Sequence, residues 1–188
     1  PDSVTDTTLG EMFYMDKRME ENTRVKNAIA KAFFSLLETR SFDEIAVTEI
    51  TNKAKVSRMA YYRNFNSKLE ILEYYLAQIF EAMSKELGED IDFWTVEYGR
   101  IYYHFMKEHR DSILLLERLG FSGLILNNFN ATNEELAGDM PRNSIERYKL
   151  YYAAGASFNA MIHWLKGGCK ESIEDMARYT LAFFGIKE

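Results

Sequence analysis

The sequence predicts an all-α protein of about nine helices, and three observations support this fold class. Only two prolines, Pro1 and Pro141, occur among the 188 residues, so long helices are left uninterrupted. Apolar residues recur at spacings of three and four through most of the chain, as on the buried stripe of a helix. Hydrophobic residues make up 47% of the chain, which is enough for a substantial core. A β-sandwich is disfavoured, because its many turns usually need proline and glycine.

The first predicted helix follows a segment without periodicity. Residues 1–19 include a polar stretch rich in Thr and Asp and show no apolar stripe, so they predict a disordered tail. From Asn22 to Glu38 the spacing predicts a helix. Its apolar positions form one stripe, made of Val25, Ile29, Ala32, Phe33, Leu36 and Leu37.

Two short helical patterns come next, separated by a turn of about three residues. The first covers about Val47–Ala54, with Ile50 and Ala54 as inward positions. The second covers about Arg58–Phe65, and Ser57 is suited to cap it because a Ser hydroxyl accepts an unpaired N–H of the first turn. Its inward candidates are Ala60, Tyr61 and Phe65. Two short helices packed on a longer one predict a helix-turn-helix, although periodicity alone also fits another small helical bundle.

A capping box starts the fourth predicted helix, and five more helices follow. Ser67-Lys68-Leu69-Glu70 has the Ser-x-x-Glu spacing of such a box, and the helix extends to about Leu87. The later patterns cover about residues 92–107, 111–120, 122–129, 143–166 and 171–184. The polar segment Asn130–Pro141 is predicted to be the longest loop, and Gly167-Gly168 is predicted to end the long eighth helix.

The charge is distributed unevenly along an acidic chain. The whole chain carries a net charge of −6, but residues 17–70 carry a net charge of +4. Between Glu49 and Glu70 there are bases and no acid, namely Lys53, Lys55, Arg58, Arg63 and Lys68. This pattern fits a protein that touches phosphate at one end only, and it fits a chance excess of bases on a solvated face equally well.

Other function classes have little support in the sequence. The lone Cys169 excludes a disulfide framework within one chain and a cysteine-based zinc finger. No apolar run reaches the roughly 20 residues that cross a bilayer, and no secretory signal is visible, so a cytoplasmic protein without membrane contact is expected. No Ser/His/Asp ordering, glycine-rich phosphate loop or His/Glu metal motif occurs. We therefore expect no enzyme, no cofactor and no metal site.

The basic segment resembles the signature of the TetR/AcrR family of transcription regulators. The matching residues are Ala54, Val56, Ser57, Tyr61, Tyr62, Phe65, Ser67 and Lys68. Lys55 stands where the family usually has Gly, and Ala46 where a Thr or Ser often caps the second helix. The resemblance implies a tail at 1–19, a DNA-binding domain at 20–68 with its helix-turn-helix at about 47–65, and an effector-binding and dimerisation domain at 69–188.

The resemblance also implies roles for individual residues toward double-stranded DNA. The second helix of such a motif enters the major groove, so Arg58 and Met59 are predicted to reach bases, with Thr48 approaching from the preceding helix. Tyr62, Arg63, Asn64 and Lys68 match positions that contact phosphate, and Lys55 is expected to add a further phosphate contact. Ser57, the expected cap of the second helix, is also predicted to be a DNA-contact residue. The alternatives are a surface charge or phosphate contact for Arg58 and half-buried packing for Tyr62.

The second domain is expected to form a homodimer through the last two long helices. The implied interface residues are Tyr148, Tyr152, Gly155, Phe158, Ile162, Ile173, Met176, Phe183 and Phe184. The alternative is that many of these residues fill the core of one subunit.

A small-molecule effector pocket is expected among the rings of the middle helices. Its predicted members are Trp94, Tyr98, Tyr102, His104, Phe105, Phe121, Phe129, Tyr151, Asn159 and His163. An aromatic stripe at helical spacing is also ordinary core, and a lone His is often simply packed.

The function implied is that of a repressor that binds a palindromic operator as a homodimer and is released by an apolar or aromatic effector. The alternative is a non-enzymatic co-regulator of the same fold that acts through protein–protein contacts. Loss of the basic face would favour that alternative, and the sequence retains the face.

Overall fold

The structure is a computed structural model that describes residues 4–88 and 92–185. These residues contain nine α-helices and no strand, as the sequence predicts. The helices are α1 (Val4–Leu37), α2 (Val47–Ala54), α3 (Arg58–Asn64), α4 (Lys68–Leu87), α5 (Val96–Glu108), α6 (Arg110–Arg118), α7 (Ser122–Ala137), α8 (Ile145–Lys166) and α9 (Ile173–Phe183). In this part of the chain, no helix is both long and apolar enough to cross a membrane.

The chain divides into two compact units between Tyr75 and Leu76, within α4. In the first unit α2 and α3 pack against α1 and against each other. Ile50, Tyr61 and Phe65 are buried as predicted, together with Ile29 and Phe33 of α1. Ala54 and Ala60 are only half-buried, because the two short helices pack against α1 mainly through their larger side chains.

Two predicted irregular segments are helical instead. The predicted disordered tail at residues 1–19 is wrong from Val4 onward, since α1 starts there; residues 1–3 lie outside the described residues. Between Val4 and Met19 the sequence has no proline and one glycine, Gly10, so the absence of an apolar stripe did not preclude a helix.

The predicted loop Asn130–Pro141 is also wrong over its first eight residues, because α7 continues to Ala137. Polar side chains of α7 donate hydrogen bonds to backbone carbonyls of the same helix. Asn128 Nδ2 donates to Leu124 O at 2.8 Å, and Thr132 Oγ1 donates to Asn128 O at 3.3 Å. The helix ends only at Gly138, whose positive φ suits glycine.

The second unit places α5 at its centre. Helix α9 packs closely along α5, α8 packs on α7, and α6 contacts α5, α7 and α8. At the α5–α9 crossing Gly99 is buried, and a Cβ added to it would lie 2.8 Å from Ala177 Cβ. Glycine therefore permits this approach of the two helices.

Candidate nucleic-acid interface and effector cavity

The turn between α2 and α3 is built from local hydrogen bonds. Lys55 adopts the left-handed conformation (φ 56°, ψ 42°), and Val56 N–H donates to Thr51 O at 3.0 Å while Lys55 N–H donates to Asn52 O at 3.2 Å. This pair of bonds is a Schellman ending, in which glycine is the usual residue at the left-handed position. The predicted cap on α3 is confirmed, since Ser57 Oγ accepts from Ala60 N–H at 3.0 Å.

Helix α3 presents one buried and one exposed face. Tyr61 is 1% exposed and anchors the helix, whereas Met59 is 83% and Tyr62 54% exposed. Arg58 and Arg63 are exposed on the same short helix. An exposed face that combines two guanidinium groups with apolar and aromatic side chains suits contacts with both phosphate and bases.

The basic residues of α2, of α3 and of the turn between them lack acidic partners within the described part of the chain. No ion pair there involves Lys53, Lys55, Arg58 or Arg63, and each of these residues is exposed. The nearest acids in sequence are engaged elsewhere. Glu49 accepts from Arg40 Nη1 at 2.9 Å and from Ala46 N–H at 2.9 Å, while Glu70 accepts from Asn66 N–H at 2.8 Å. The face therefore carries uncompensated positive charge, as binding to a polyanion requires.

The start of α2 is held by a carboxylate instead of a hydroxyl. The hydrogen bond from Ala46 N–H, followed by that from Arg40, lowers the pKa of Glu49 below its usual value. Ala46 has no side-chain oxygen, so the reciprocal half of a capping box is missing. At the start of α4 the other half of the capping box is present. Ser67 Oγ accepts from Glu70 N–H at 3.2 Å as predicted, but the Glu70 carboxylate accepts from Asn66 N–H and not from Ser67 N–H.

Replacing Ala46 by Thr is expected to raise the free energy of unfolding by about 1 kcal/mol, because a cap hydroxyl satisfies one N–H of the first turn. Ala46→Val is the matched control, since it has the same shape without the hydroxyl. The difference between the two variants in chemical denaturation measures the cap. Equal stability of Thr and Val variants would show that Glu49 alone already saturates this helix start.

The other predicted DNA-contact residues differ in how freely they are presented. Thr48 is exposed on α2. Asn64 is half-buried, and its Nδ2 donates to Ala60 O at 2.7 Å. Lys68 is the residue that differs most from the prediction. Its Nζ donates to Phe42 O at 2.5 Å, to Ile45 O at 3.0 Å and to Asp43 O at 3.3 Å. A phosphate contact from Lys68 stays a prediction, but this ammonium group already binds the α1–α2 connection.

Replacing Lys68 by Met is expected to lower the free energy of unfolding by about 1.5–3 kcal/mol, the usual range for hydrogen bonds to a charged group. Methionine keeps an unbranched apolar side chain of similar length, so the loss reports the ammonium group and its 4.7 Å approach to the Phe42 ring. Lys53→Met, at an exposed position, is the control and should leave stability unchanged. If Lys68→Met kept full stability and reduced only DNA affinity, Lys68 would be a phosphate contact alone.

A cavity of about 390 Å³ lies within the second unit. It brings together four of the predicted pocket residues, Trp94, Tyr98, Tyr102 and Phe129. The other six do not line it. Phe105 is buried elsewhere, Phe121 and Tyr151 are at least partly exposed, and His104, Asn159 and His163 are exposed on outward helix faces. Asn159 Nδ2 donates to its own helix at Gly155 O, and His104 Nε2 lies 3.5 Å from Glu108 Oε1.

Sequence reasoning missed the lining residues that come from α4, α8 and the C-terminal end of the described chain. These include Phe80, Met83, Ser157, Thr180 and Phe184. Phe184 was predicted in the dimer interface instead; its ring packs against Trp94 with centroids 5.4 Å apart. Helical spacing identified the inward stripes of these helices, but it does not say which stripes surround the same empty volume.

The predicted dimer residues divide between an outer face and the interior. Tyr152 is 76% and Phe183 75% exposed, and Tyr148 is exposed on the same side of α8 as Tyr152. Ile162 is buried, while Gly155, Phe158, Ile173 and Met176 are half-buried. Two further exposed apolar residues were not predicted, Ile145 on α8 and Tyr179 on α9. Contiguous exposed apolar patches are typical of association surfaces, so the exposed stripes of α8 and α9 are the candidate interface.

Comparison with known proteins supports a transcription-regulator fold. No family model matches the chain. A curated relative, the HTH-type dhaKLM operon transcriptional activator DhaS of Lactococcus lactis, is 32% identical over 72 residues, which are 38% of this chain and 36% of the relative. The match thus spans about a third of that relative's length.

Two solved structures share the fold over most of the chain. A TetR transcriptional regulator from Streptococcus agalactiae superposes with a TM-score of 0.64 at 22% identity, covering 90% of this chain and 98% of its own. The dihydroxyacetone kinase operon activator DhaS superposes with a TM-score of 0.57 at 19% identity, covering 85% and 93%. The chain therefore has the fold of TetR-type regulators, as its resemblance to that family predicted.

Proposed function

We propose that this chain is a DNA-binding transcription regulator of the TetR/AcrR family, and that α3 is its recognition helix. The observation that carries the proposal is the exposed face of α3, where Arg58 and Arg63 lack acidic partners among the described residues. The fold shared with TetR-type regulators supports it independently. A DNA partner also implies a cytoplasmic location.

The residues of the face divide into two roles. Arg58, at the first position of α3, pairs with guanine O6 and N7, and Met59 packs on a thymine methyl group, with Thr48 beside them on α2. Arg63, Tyr62 and Lys55 contact phosphate and set the register, together with the backbone around Ser57. Asn64 and Lys68 support the face from inside, since each is hydrogen-bonded to backbone carbonyls.

Arg58→Ala is expected to weaken binding to the operator by about 1–3 kcal/mol while leaving affinity for random DNA nearly unchanged, because it removes one base contact. Arg63→Ala is the matched comparison on the same helix. It should weaken operator and random DNA alike and reduce the slope of log affinity against log salt by about one. Fluorescence anisotropy with the DNA upstream of the protein's own gene measures both. Equal losses on random and operator DNA for Arg58→Ala would assign it to phosphate.

The proposed working form is a homodimer that binds a palindromic operator. Two recognition helices about 34 Å apart meet successive major grooves on one side of the duplex. The exposed rings of α8 and α9 are the proposed interface, because a two-fold contact needs a patch that complements itself.

The cavity of the second unit is the proposed effector site, and effector binding is proposed to release a repressor from its operator. The relative DhaS is described as an activator, so the direction of regulation needs a direct test. A reporter under the protein's own upstream DNA should rise in expression when the gene is deleted. A fall would make the protein an activator, and an absence of specific DNA binding together with capture of a protein partner would favour the co-regulator alternative.

A further inference from the structure

The cavity contains a buried polar atom that the protein leaves without a partner. Tyr102 lines the cavity from α5 and is 4% exposed, and no described residue hydrogen-bonds to its hydroxyl group. Leaving such a buried group unpaired costs free energy. Three aromatic rings surround the Tyr102 ring, those of Tyr98, Tyr103 and Phe129, with centroids 4.9–6.3 Å away.

Several other polar side chains of the cavity already form hydrogen bonds within the protein. Thr132 Oγ1 donates to Asn128 O, Asn133 Nδ2 donates to Leu150 O at 2.9 Å, and Thr180 Oγ1 donates to Met176 O at 2.8 Å. Thr180 also forms a 2.8 Å hydrogen bond with the Tyr103 hydroxyl. Among the described lining residues, the Tyr102 hydroxyl is the buried polar atom without a hydrogen-bond partner, so it is the position where a ligand gains most from a polar contact.

The residues that line the cavity make binding of an anionic ligand unfavourable. The cavity is lined mainly by rings and aliphatic side chains, and none of the described lining residues is Lys or Arg. The charged group present is the carboxylate of Glu135, which repels anions. Transferring a carboxylate or phosphate into such surroundings without a cation is strongly unfavourable.

Two ring pairs shape the space. Trp94 packs edge-to-face on Phe184, and Phe93 lies 5.0 Å from Tyr98 between centroids. Flat apolar groups fit between such rings with good contact. Burial also raises the pKa of the Tyr102 hydroxyl well above its usual value, so the group remains a proton donor throughout the physiological pH range.

We propose that the cavity binds an uncharged, flat ring compound whose carbonyl or ether oxygen accepts a hydrogen bond from the Tyr102 hydroxyl. As an assignment of the effector's chemical class, this rests on the proposed regulator function; as a binding property of the second unit, it does not require DNA.

Three probes with one ring system test the proposal: 2-acetylnaphthalene, 2-ethylnaphthalene and 2-naphthoate. Binding to the 188-residue chain is measured by equilibrium dialysis without DNA. The ketone should bind about three- to tenfold tighter than the hydrocarbon, as one hydrogen bond predicts, and the anion should bind weakest. Tyr102→Phe should abolish the preference for the ketone over the hydrocarbon. Tyr98→Phe, which removes another hydroxyl from the same cavity, should preserve it.

The possible outcomes separate this proposal from the proposed function. Tight binding of naphthoate, a ketone preference that survives in Tyr102→Phe, or no binding of any of the three probes overturns the ligand class. If the probes behave as expected and operator binding by anisotropy is absent, the regulator function fails while the ligand class stands. Circular dichroism of both variants checks that they are folded.

Discussion

Gly99→Leu is expected to destabilise the second unit by about 3 kcal/mol or more. A Cβ at residue 99 would lie 2.8 Å from Ala177 Cβ and 3.0 Å from Ala177 Cα. The second of these atoms belongs to the backbone of α9, so the clash is relieved only when the two helices separate. Overpacking of a well-packed core typically costs about 1–3 kcal/mol, and a side chain that pushes on backbone lies at the upper end.

Calorimetry measures this effect, since about 3 kcal/mol corresponds to roughly 6–12 °C in Tm for a chain of this size. Gly123→Ala is the control. Gly123 also lies in a helix, but a Cβ there meets nothing within 4 Å, so alanine should stabilise by up to about 1 kcal/mol. A similar small gain for Gly99→Ala would contradict the close crossing.

A double-mutant cycle tests the contact directly. Gly99→Ala combined with Ala177→Gly moves one methyl group from α9 to α5 across the crossing. The double variant should then be more stable than the sum of the single effects predicts, because the clash is absent although α9 carries a glycine. Strict additivity of the two changes would show that residues 99 and 177 do not touch.

The features predicted correctly from the sequence are local ones. The bounds of α2, the cap by Ser57 and the end of α8 at Gly167 depend on hydrogen bonds within a few residues, so residue order is sufficient to identify them. The buried positions Tyr61 and Phe65 follow from the same spacing rule.

The features missed from the sequence depend on distant parts of the chain. The motif predicts a phosphate contact for Lys68, which stays a prediction, but it did not predict that the ammonium group binds carbonyls more than 20 residues earlier. His104, Asn159 and His163 were assigned to a pocket by chemical type, whereas the packing turns them outward. The second half of α7 is a polar helical segment that the sequence did not predict. Its side chains donate hydrogen bonds to carbonyls of the same helix or of a neighbouring helix, and composition does not show such bonds.

Tyr152→Glu and Phe183→Glu are each expected to convert a dimer into a monomer and to lower affinity for a palindromic operator by about a thousandfold or more. Specific binding commonly exceeds nonspecific binding by about 10³–10⁷, and much of that difference is lost when only one half-site is engaged. Both rings are about three-quarters exposed in the subunit, so the substitutions should not unfold it. In a two-fold interface each substitution occurs twice and buries two unpaired carboxylates.

Asn127→Glu is the matched control, because it adds the same charge at an exposed position of α7. Analytical ultracentrifugation at micromolar concentration should show monomers for the two interface variants and dimers for the control and the unmodified chain. Dimers in all four cases would place the interface elsewhere, and monomers in all four would remove the symmetric dimer from the proposal.

The salt dependence of DNA binding then distinguishes loss of the partner from loss of a base contact. A monomer retains its own phosphate contacts and loses those of its partner, so the slope of log affinity against log salt should fall to about half. Arg58→Ala should weaken operator binding with a nearly unchanged slope, because the dimer keeps its phosphate contacts. An unchanged slope for a monomeric Tyr152→Glu variant would mean that one subunit already makes all the phosphate contacts. In that case the exposed rings of α8 and α9 would serve a purpose other than holding two recognition helices on one duplex.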